Sequence, residues 1–185
     1  MAGRRFARNV GSEVMEAWDV IVLGDGPAAL HAAAEAAKEG ANTLLMSATG
    51  LGEPGMAPLS GLSASLQESN NRPHREDTIR CGEFLCDQDV VSSTTAKAVK
   101  MIDLLERRGV NFRRDAQGLP MVRKSLGHSQ PRNVSSGSTT SRELQQISEE
   151  QCMRHGVIRR GDQVPLTLVH NHQTVTGITA LDMVN

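Results

Sequence analysis

The sequence predicts an α/β fold, and three observations predict it. Asp19-Val20-Ile21-Val22-Leu23 is a short run rich in β-branched residues that stops at Gly24, the pattern of a strand buried on both faces. An alanine-rich stretch from Leu30 to Glu39 follows and ends before Gly40, as a helix closed by a C-terminal glycine does. Asn42-Thr43-Leu44-Leu45-Met46 is a second apolar run. Strand, helix and strand thus fall within roughly 30 residues, the length of a βαβ unit, for which a right-handed crossover is expected.

The later elements follow from weaker signals. From Ala48 to Asn71 glycine, proline and serine recur without periodicity, which predicts a long functional loop. Val91, Ala98, Ile102 and Leu105 restore helical spacing over 90–108, with Asp87 and Asp89 before it and Gly109 after it. Acids complement a helix N-terminus. A short strand is expected at 119–122. Thr140 with Glu143 three residues on predicts a capping box, opening a helix that runs to about His155. Residues 164–172 and 174–184 predict a terminal hairpin with its turn near Asn171 to Thr174. Residues 1–17, with Arg4, Arg5 and Arg8 ahead of the first acid at Glu13, are expected to form a flexible leader, leaving 18–185 as one partial cofactor domain.

Composition narrows the function. Twenty Lys+Arg against 21 Asp+Glu give a net charge of −1, so attachment to nucleic acid by general phosphate attraction is not expected. Aromatics are 2% of the chain, with three Phe, Trp18 and no Tyr, which leaves few platforms for stacking bases. Nothing approaches the roughly 20 apolar residues of a membrane span. Cys81, Cys86 and Cys152 include no C-x-x-C pair, which points away from a zinc site or disulfide framework and toward a reducing cytoplasm.

Gly24-x-Gly26-x-x-Ala29 directly follows the first strand and opens the helix, the context in which this spacing means dinucleotide binding in a Rossmann-like unit. Gly24 permits the tight turn, Gly26 lets backbone approach a pyrophosphate, and Ala29 lets helix and strand pack closely. The helix N-terminus adds N–H donors and partial positive charge. Pro27 costs little there, since that position has no intrahelical partner. Asp25 would repel the pyrophosphate unless its side chain turned away. The acid that holds the ribose in NAD sites is missing at the end of the second strand, where Ser47 stands, and Ser47 is the candidate for a sugar or phosphate hydrogen bond. No such motif attends the remaining polar residues. His170 and His172 share ligand-like spacing without a third partner, His128 is expected to hydrogen-bond within its loop, and Arg132 is expected to be exposed.

Segment 19–47 resembles the FAD-binding start of the succinate dehydrogenase and fumarate reductase flavoprotein subunits, a group that includes L-aspartate oxidase. Later landmarks keep the same order. Ser60-Gly61-Leu62-Ser63-Ala64 resembles the family's Gly-Gly-Ile-Asn-Ala flavin loop, and Asp87-Gln88-Asp89 its Gly-Asp-Gln-Asp segment. Arg107 to Phe112 is similar to its "gly-x-pro-phe" strand, Gly127-His128-Ser129-Gln130-Pro131-Arg132 to its Gly-His-Ser-x-Pro-Arg loop, and 175–182 to its "gly-val-x-ala-leu-asp" strand.

The resemblance implies FAD as cofactor, with Gly24, Gly26 and Ala29 at the pyrophosphate, Ser47 toward the adenosine, and Ser60 and Gly61 near the isoalloxazine. Respiratory members can attach FAD through a His seven residues before the second flavin-loop glycine. Counting back from Gly61 reaches Pro54, so noncovalent FAD is expected. The family's substrate-binding His and Arg residues lie beyond the region matched. The expectation is therefore the FAD-binding portion of an oxidoreductase, without turnover alone and with no catalytic residue assigned. Its expected partner is a second chain supplying the substrate half, or an iron–sulfur electron-transfer subunit. Its expected location is cytoplasmic, peripheral to a membrane through such partners. An alternative is a degenerate member serving as a binding or assembly subunit, motivated by Asp25, Pro54, Ser60 and Ser141, the last standing where the family has the glycine of a Thr-Gly-x-x-Leu helix start.

Overall fold

The computed structural model describes residues 8–10, 13–50, 58–66 and 71–184. Pro54 and the rest of 51–57 lie outside these, so the covalent-attachment expectation has no structural counterpart here. The chain divides into two compact units, one of residues 1–56 with 148–185 and the other of residues 57–147. The division falls within a helix.

In the first unit, β1 (Arg8–Val10) and β2 (Glu13–Met15) form an antiparallel hairpin inside the segment expected as a leader. β3 (Val20–Leu23) and β4 (Thr43–Met46) are the two apolar runs, paired in parallel with Ile21 opposite Leu44 and Leu23 opposite Met46. Helix α1 (Pro27–Lys38) joins them. β8 (Ile158–Arg160) lies parallel on the far side of β4, giving the strand order β3-β4-β8. As the central strand, β4 is buried at all four positions. Its Leu45 packs with Leu30, Ala33 and Ala34 of α1, Cys152 and Val157. The alanines bring helix and sheet together because they occupy little space between them. β9 (Gln163–Asn171) and β10 (Thr174–Asp182) form the expected hairpin, with Thr174 opposite Asn171.

In the second unit, α2 (Asn71–Cys81) and α3 (Gln88–Arg107) accompany a small antiparallel sheet of β5 (Leu62–Ser63), β7 (Asn133–Val134) and β6 (Val122–Arg123), in that order. Asp87 caps α3, its Oδ1 accepting from the N–H groups of Asp89 and Val90 at 3.0 and 3.1 Å. The strand expected at 119–122 begins only at Val122, and an isolated bridge joins Pro120 to Arg114. Phe112, Val134, Ile102 and Leu105 are buried in this unit.

Helix α4 (Thr140–Arg154) carries the division between units. The capping box does not form as expected. A 3-10 turn over Gly137–Thr139 precedes α4, so Thr140 is already helical. Its hydroxyl accepts from the Ser136 N–H and donates to the Gly137 carbonyl, while Thr139 donates to Glu143 at 2.7 Å. The extra turn moves the cap upstream, and Glu143 instead accepts from the Asn111 N–H at 3.1 Å.

Candidate cofactor site

The glycine turn sits at the end of β3. Gly24 has φ +122°, and an added Cβ would stand 3.4 Å from the Ala29 Cβ. Its N–H donates to the Met46 carbonyl at 2.8 Å, continuing the ladder one residue past the strand. The backbone demands glycine there because a left-handed conformation strains any other side chain. Gly26 is the N-cap of α1 and offers no side-chain cap. Pro27 lacks an N–H, and the N–H groups of Ala28 and Ala29 precede the first intrahelical bond, from Leu30 N–H to the Gly26 carbonyl at 3.0 Å. No acid occupies the first helical turn. An uncapped N-terminus lined by small residues suits a diphosphate, which approaches backbone donors closely and meets the positive end of the helix dipole.

Asp25 is turned onto the end of β4. Its Oδ2 accepts from the Ser47 hydroxyl at 2.9 Å and from the Thr49 hydroxyl. The Thr49 bond is the main influence holding the carboxyl below the usual carboxylate range; partial burial opposes it and the Ser47 bond reinforces it. Ser47 is buried at 3% exposure. Its N–H donates to the Arg160 carbonyl and its own carbonyl accepts from Gln163, both at 2.9 Å, while its Oγ accepts from the Thr49 N–H at 3.1 Å. The sequence marked Asp25 and Ser47 separately. Thr49, which completes the set, escaped because a lone threonine in a glycine-rich loop carries no pattern.

Ser60 and Gly61 lie in the second unit, where Ser60 is exposed. Gly61 has φ +147°, and a Cβ there would collide with the Asn133 side chain and approach the Val134 carbonyl to 2.6 Å. Only glycine lets this loop lie against β7. Ser141 donates no bulk to the loop's disadvantage: its Oγ accepts from the Leu59 N–H at 2.6 Å and so holds the residue just before Ser60.

The Gly127–Arg132 loop is anchored by a residue of α2. Asp77, 2% exposed, accepts from the Ser129 N–H and hydroxyl at 2.6 and 2.8 Å and from Arg132 at 2.7 Å through Oδ2, with Arg80 at 2.6 Å on Oδ1. Burial alone pushes the Asp77 carboxyl up. The bonds from Ser129 and the Arg132 guanidinium outweigh it and hold the group far below the carboxylate range. Arg132 is therefore 4% exposed and ion-paired, correcting the expectation of an exposed loop arginine. His128 bonds outside its loop rather than within it, with Nε2 3.1 Å from the hydroxyl of Ser63 in β5. His74, beside this network, is pushed below the ordinary imidazole range first by burial and then by the charge of Arg132. Among the described residues no group of three His, Cys, Asp or Glu could hold a metal, and no helix is long and apolar enough to cross a membrane.

A glycine turn between two parallel strands, opening an uncapped helix, defines the class: a nucleotide-binding α/β unit. Residues 19–185 match the FAD binding domain family, and the chain belongs to it. FAD is the cofactor this membership indicates. The succinate dehydrogenase flavoprotein subunit of Bacillus subtilis is 28% identical over 176 residues, which span 90% of this chain and 30% of that protein. The L-aspartate oxidase of Agrobacterium fabrum is 38% identical over 117 residues, 62% of this chain and 22% of that one. The E. coli quinol fumarate reductase shares the fold, with a TM-score of 0.81 at 24% identity over 89% of this chain and 29% of the other. The chain thus spans under a third of the length of these relatives, and the fold is that of the N-terminal part of such flavoproteins.

Proposed function

We propose that these residues form the FAD-holding portion of an oxidoreductase of the succinate dehydrogenase and fumarate reductase type, binding FAD noncovalently. Gly24, Gly26 and Ala29 take the pyrophosphate, Ser47 borders the adenosine side, and Ser60 and Gly61 border the isoalloxazine. The observation that carries the reading is the family match over 19–185 together with the uncapped N-terminus of α1 behind a positive-φ glycine. When bound, FAD supplies a two-electron acceptor for hydride. This chain's contribution is to hold and orient it: backbone donors of α1 neutralise phosphate charge, and the ties from Ser47 and Thr49 draw the Asp25 carboxylate to the end of β4.

Two of the four substitutions that motivate a non-catalytic member have partners that favour the cofactor reading. Asp25 is engaged by hydroxyls, and the hydroxyl of Ser141 supports the loop that its bulk would otherwise crowd. Turnover is assigned to an assembly in which a substrate half or an iron–sulfur electron-transfer subunit joins this portion, and a position peripheral to a membrane would come through those partners. The 185 residues by themselves are expected to turn nothing over.

The visible spectrum of the purified chain tests this, before and after acid precipitation and with FAD added. Flavin bands released into the acid supernatant are expected. A colourless protein that takes up no added FAD overturns the reading, and colour retained in the precipitate overturns noncovalent attachment.

A further inference from the structure

Dinucleotide folds commonly place an acid about 20 residues beyond the glycine turn, at the end of the second strand, to accept from the ribose hydroxyls. This chain has Ser47 there, immediately after β4. Ser47 is poorly equipped for the task. A serine hydroxyl has one proton to donate and two lone pairs, and here the oxygen contacts the Asp25 carboxylate, the Thr49 N–H and the Thr49 hydroxyl. What stands at the strand end is the carboxylate of Asp25, brought from the β3–α1 turn and fixed through Oδ2 by two hydroxyls.

Building on the FAD reading above, we propose that Asp25, held by Ser47 and Thr49, is this chain's acceptor for the adenosine ribose hydroxyls. It takes in space the part that a strand-end acid takes elsewhere in sequence. A carboxylate offers about four lone-pair sites, so accepting from Ser47 and Thr49 does not by itself close it to a sugar hydroxyl. It is only partly buried and stays ionised at neutral pH, because the hydroxyl bonds favour the charged form. Ionised, it accepts from a hydroxyl more strongly than a serine does and disfavours a phosphate at the ribose 2′ position by charge. The same ties hold the acid at the end of β4, so one residue that looks hostile to a dinucleotide in the sequence becomes a reader of its ribose.

The test titrates the full chain with FAD by flavin fluorescence, then displaces FAD with ADP, 2′-deoxy-ADP and adenosine 2′,5′-bisphosphate. For the wild type, ADP is expected to bind about tenfold better than 2′-deoxy-ADP, the size of a hydrogen bond to a charged group. In Asp25→Ala that preference is expected to vanish. Asp25→Asn keeps the size and an acceptor for Ser47 and Thr49, so it guards against a folding defect, and it is expected to relax the rejection of the 2′-phosphate. Variants that keep the wild-type ratios, or that bind FAD more tightly than the wild type, overturn the proposal while leaving the FAD reading intact. A wild type that takes up neither FAD nor ADP overturns both.

Discussion

Both units bury apolar side chains, Phe112, Val134, Ile102 and Leu105 among those of the second, but the second adds a buried charge pair to them. In the first, the interior around α1 and β4 is Leu30, Ala33, Ala34, Leu45, Cys152 and Val157, a set whose cohesion is area removed from water. The thiol of Cys152 is the polar member, 0% exposed, with Sγ 3.1 Å from the Leu30 carbonyl, and burial pushes it up to about 11. In the second, the Asp77 and Arg132 side chains are buried as an ion pair, with His74 buried beside them. Apolar packing tolerates loss in proportion to the atoms removed. A buried charge pair does not, because removing one partner leaves the other charged in a place that cannot solvate it.

Asp77→Ala should therefore have the largest effect. It strips Ser129 and Arg132 of their acceptor together, and breaking a buried pair costs about 3–5 kcal/mol. Denaturant unfolding of the full chain measures the loss, and a change within 1 kcal/mol would mean that water already solvates Arg132. Leu30→Ala probes the other unit, where transfer and cavity terms together cost about 2–5 kcal/mol. The difference between units lies in repair. Replacing Asp77 and Arg132 jointly with apolar residues of similar volume should recover much of the first loss, whereas the cavity left by Leu30 is refilled only by a side chain of matching volume.

Gly61→Ala comes next, at about 1–3 kcal/mol for overpacking. The Cβ would meet Asn133 and the Val134 carbonyl, and the backbone at φ +147° resists a side chain as well. If the flavin loop does bear the isoalloxazine, this variant should also weaken FAD uptake, which a fluorescence titration reads independently of stability.

The same contrast explains what was legible in the sequence. β3, α1, β4 and α3 follow from apolar runs, spacing and glycines, which are local records of packing, whereas the β9–β10 hairpin follows from its strand pattern alone, its Leu166, Leu168 and Val175 standing exposed. Helix α2 left no such record. Its sequence, Asn-Arg-Pro-His-Arg-Glu-Asp-Thr-Ile-Arg-Cys, has Ile79 as its one large aliphatic residue, and its buried positions are His74 and Asp77. β8 was hidden likewise, since Arg159 and Arg160 read as surface until Glu149 and Glu16 are found 3.4 and 2.8 Å away. Gly24, Gly26 and Ala29 were legible because a motif compresses geometry into spacing. The Asp25–Ser47–Thr49 set was not, because it joins residues from two loops whose proximity exists only once β3 and β4 have paired.

Acid provides the gentlest way to separate the units. His74 and His128 are both lowered, first by burial and then by the charge of Arg132, with Asp77 pulling the other way. A histidine whose folded pKa lies below its unfolded value of about 6.5 binds protons more readily when unfolded, so stability falls as pH drops through that value and levels off below the folded one. Asp77 acts lower. Its contribution is intact above the unfolded carboxylate pKa of about 3.9 and is lost as pH falls toward its depressed folded value. Between pH 7 and 5 the loss should come from the histidines alone, and amide hydrogen exchange should show it at β5, β7 and α2, where His74 and its partners sit, before the α1 and β4 amides weaken. His74→Gln removes one of the two titrations and should flatten that slope without abolishing it. Equal weakening of both units over the same range would mean that the apolar core has no stability of its own to keep when the polar network fails.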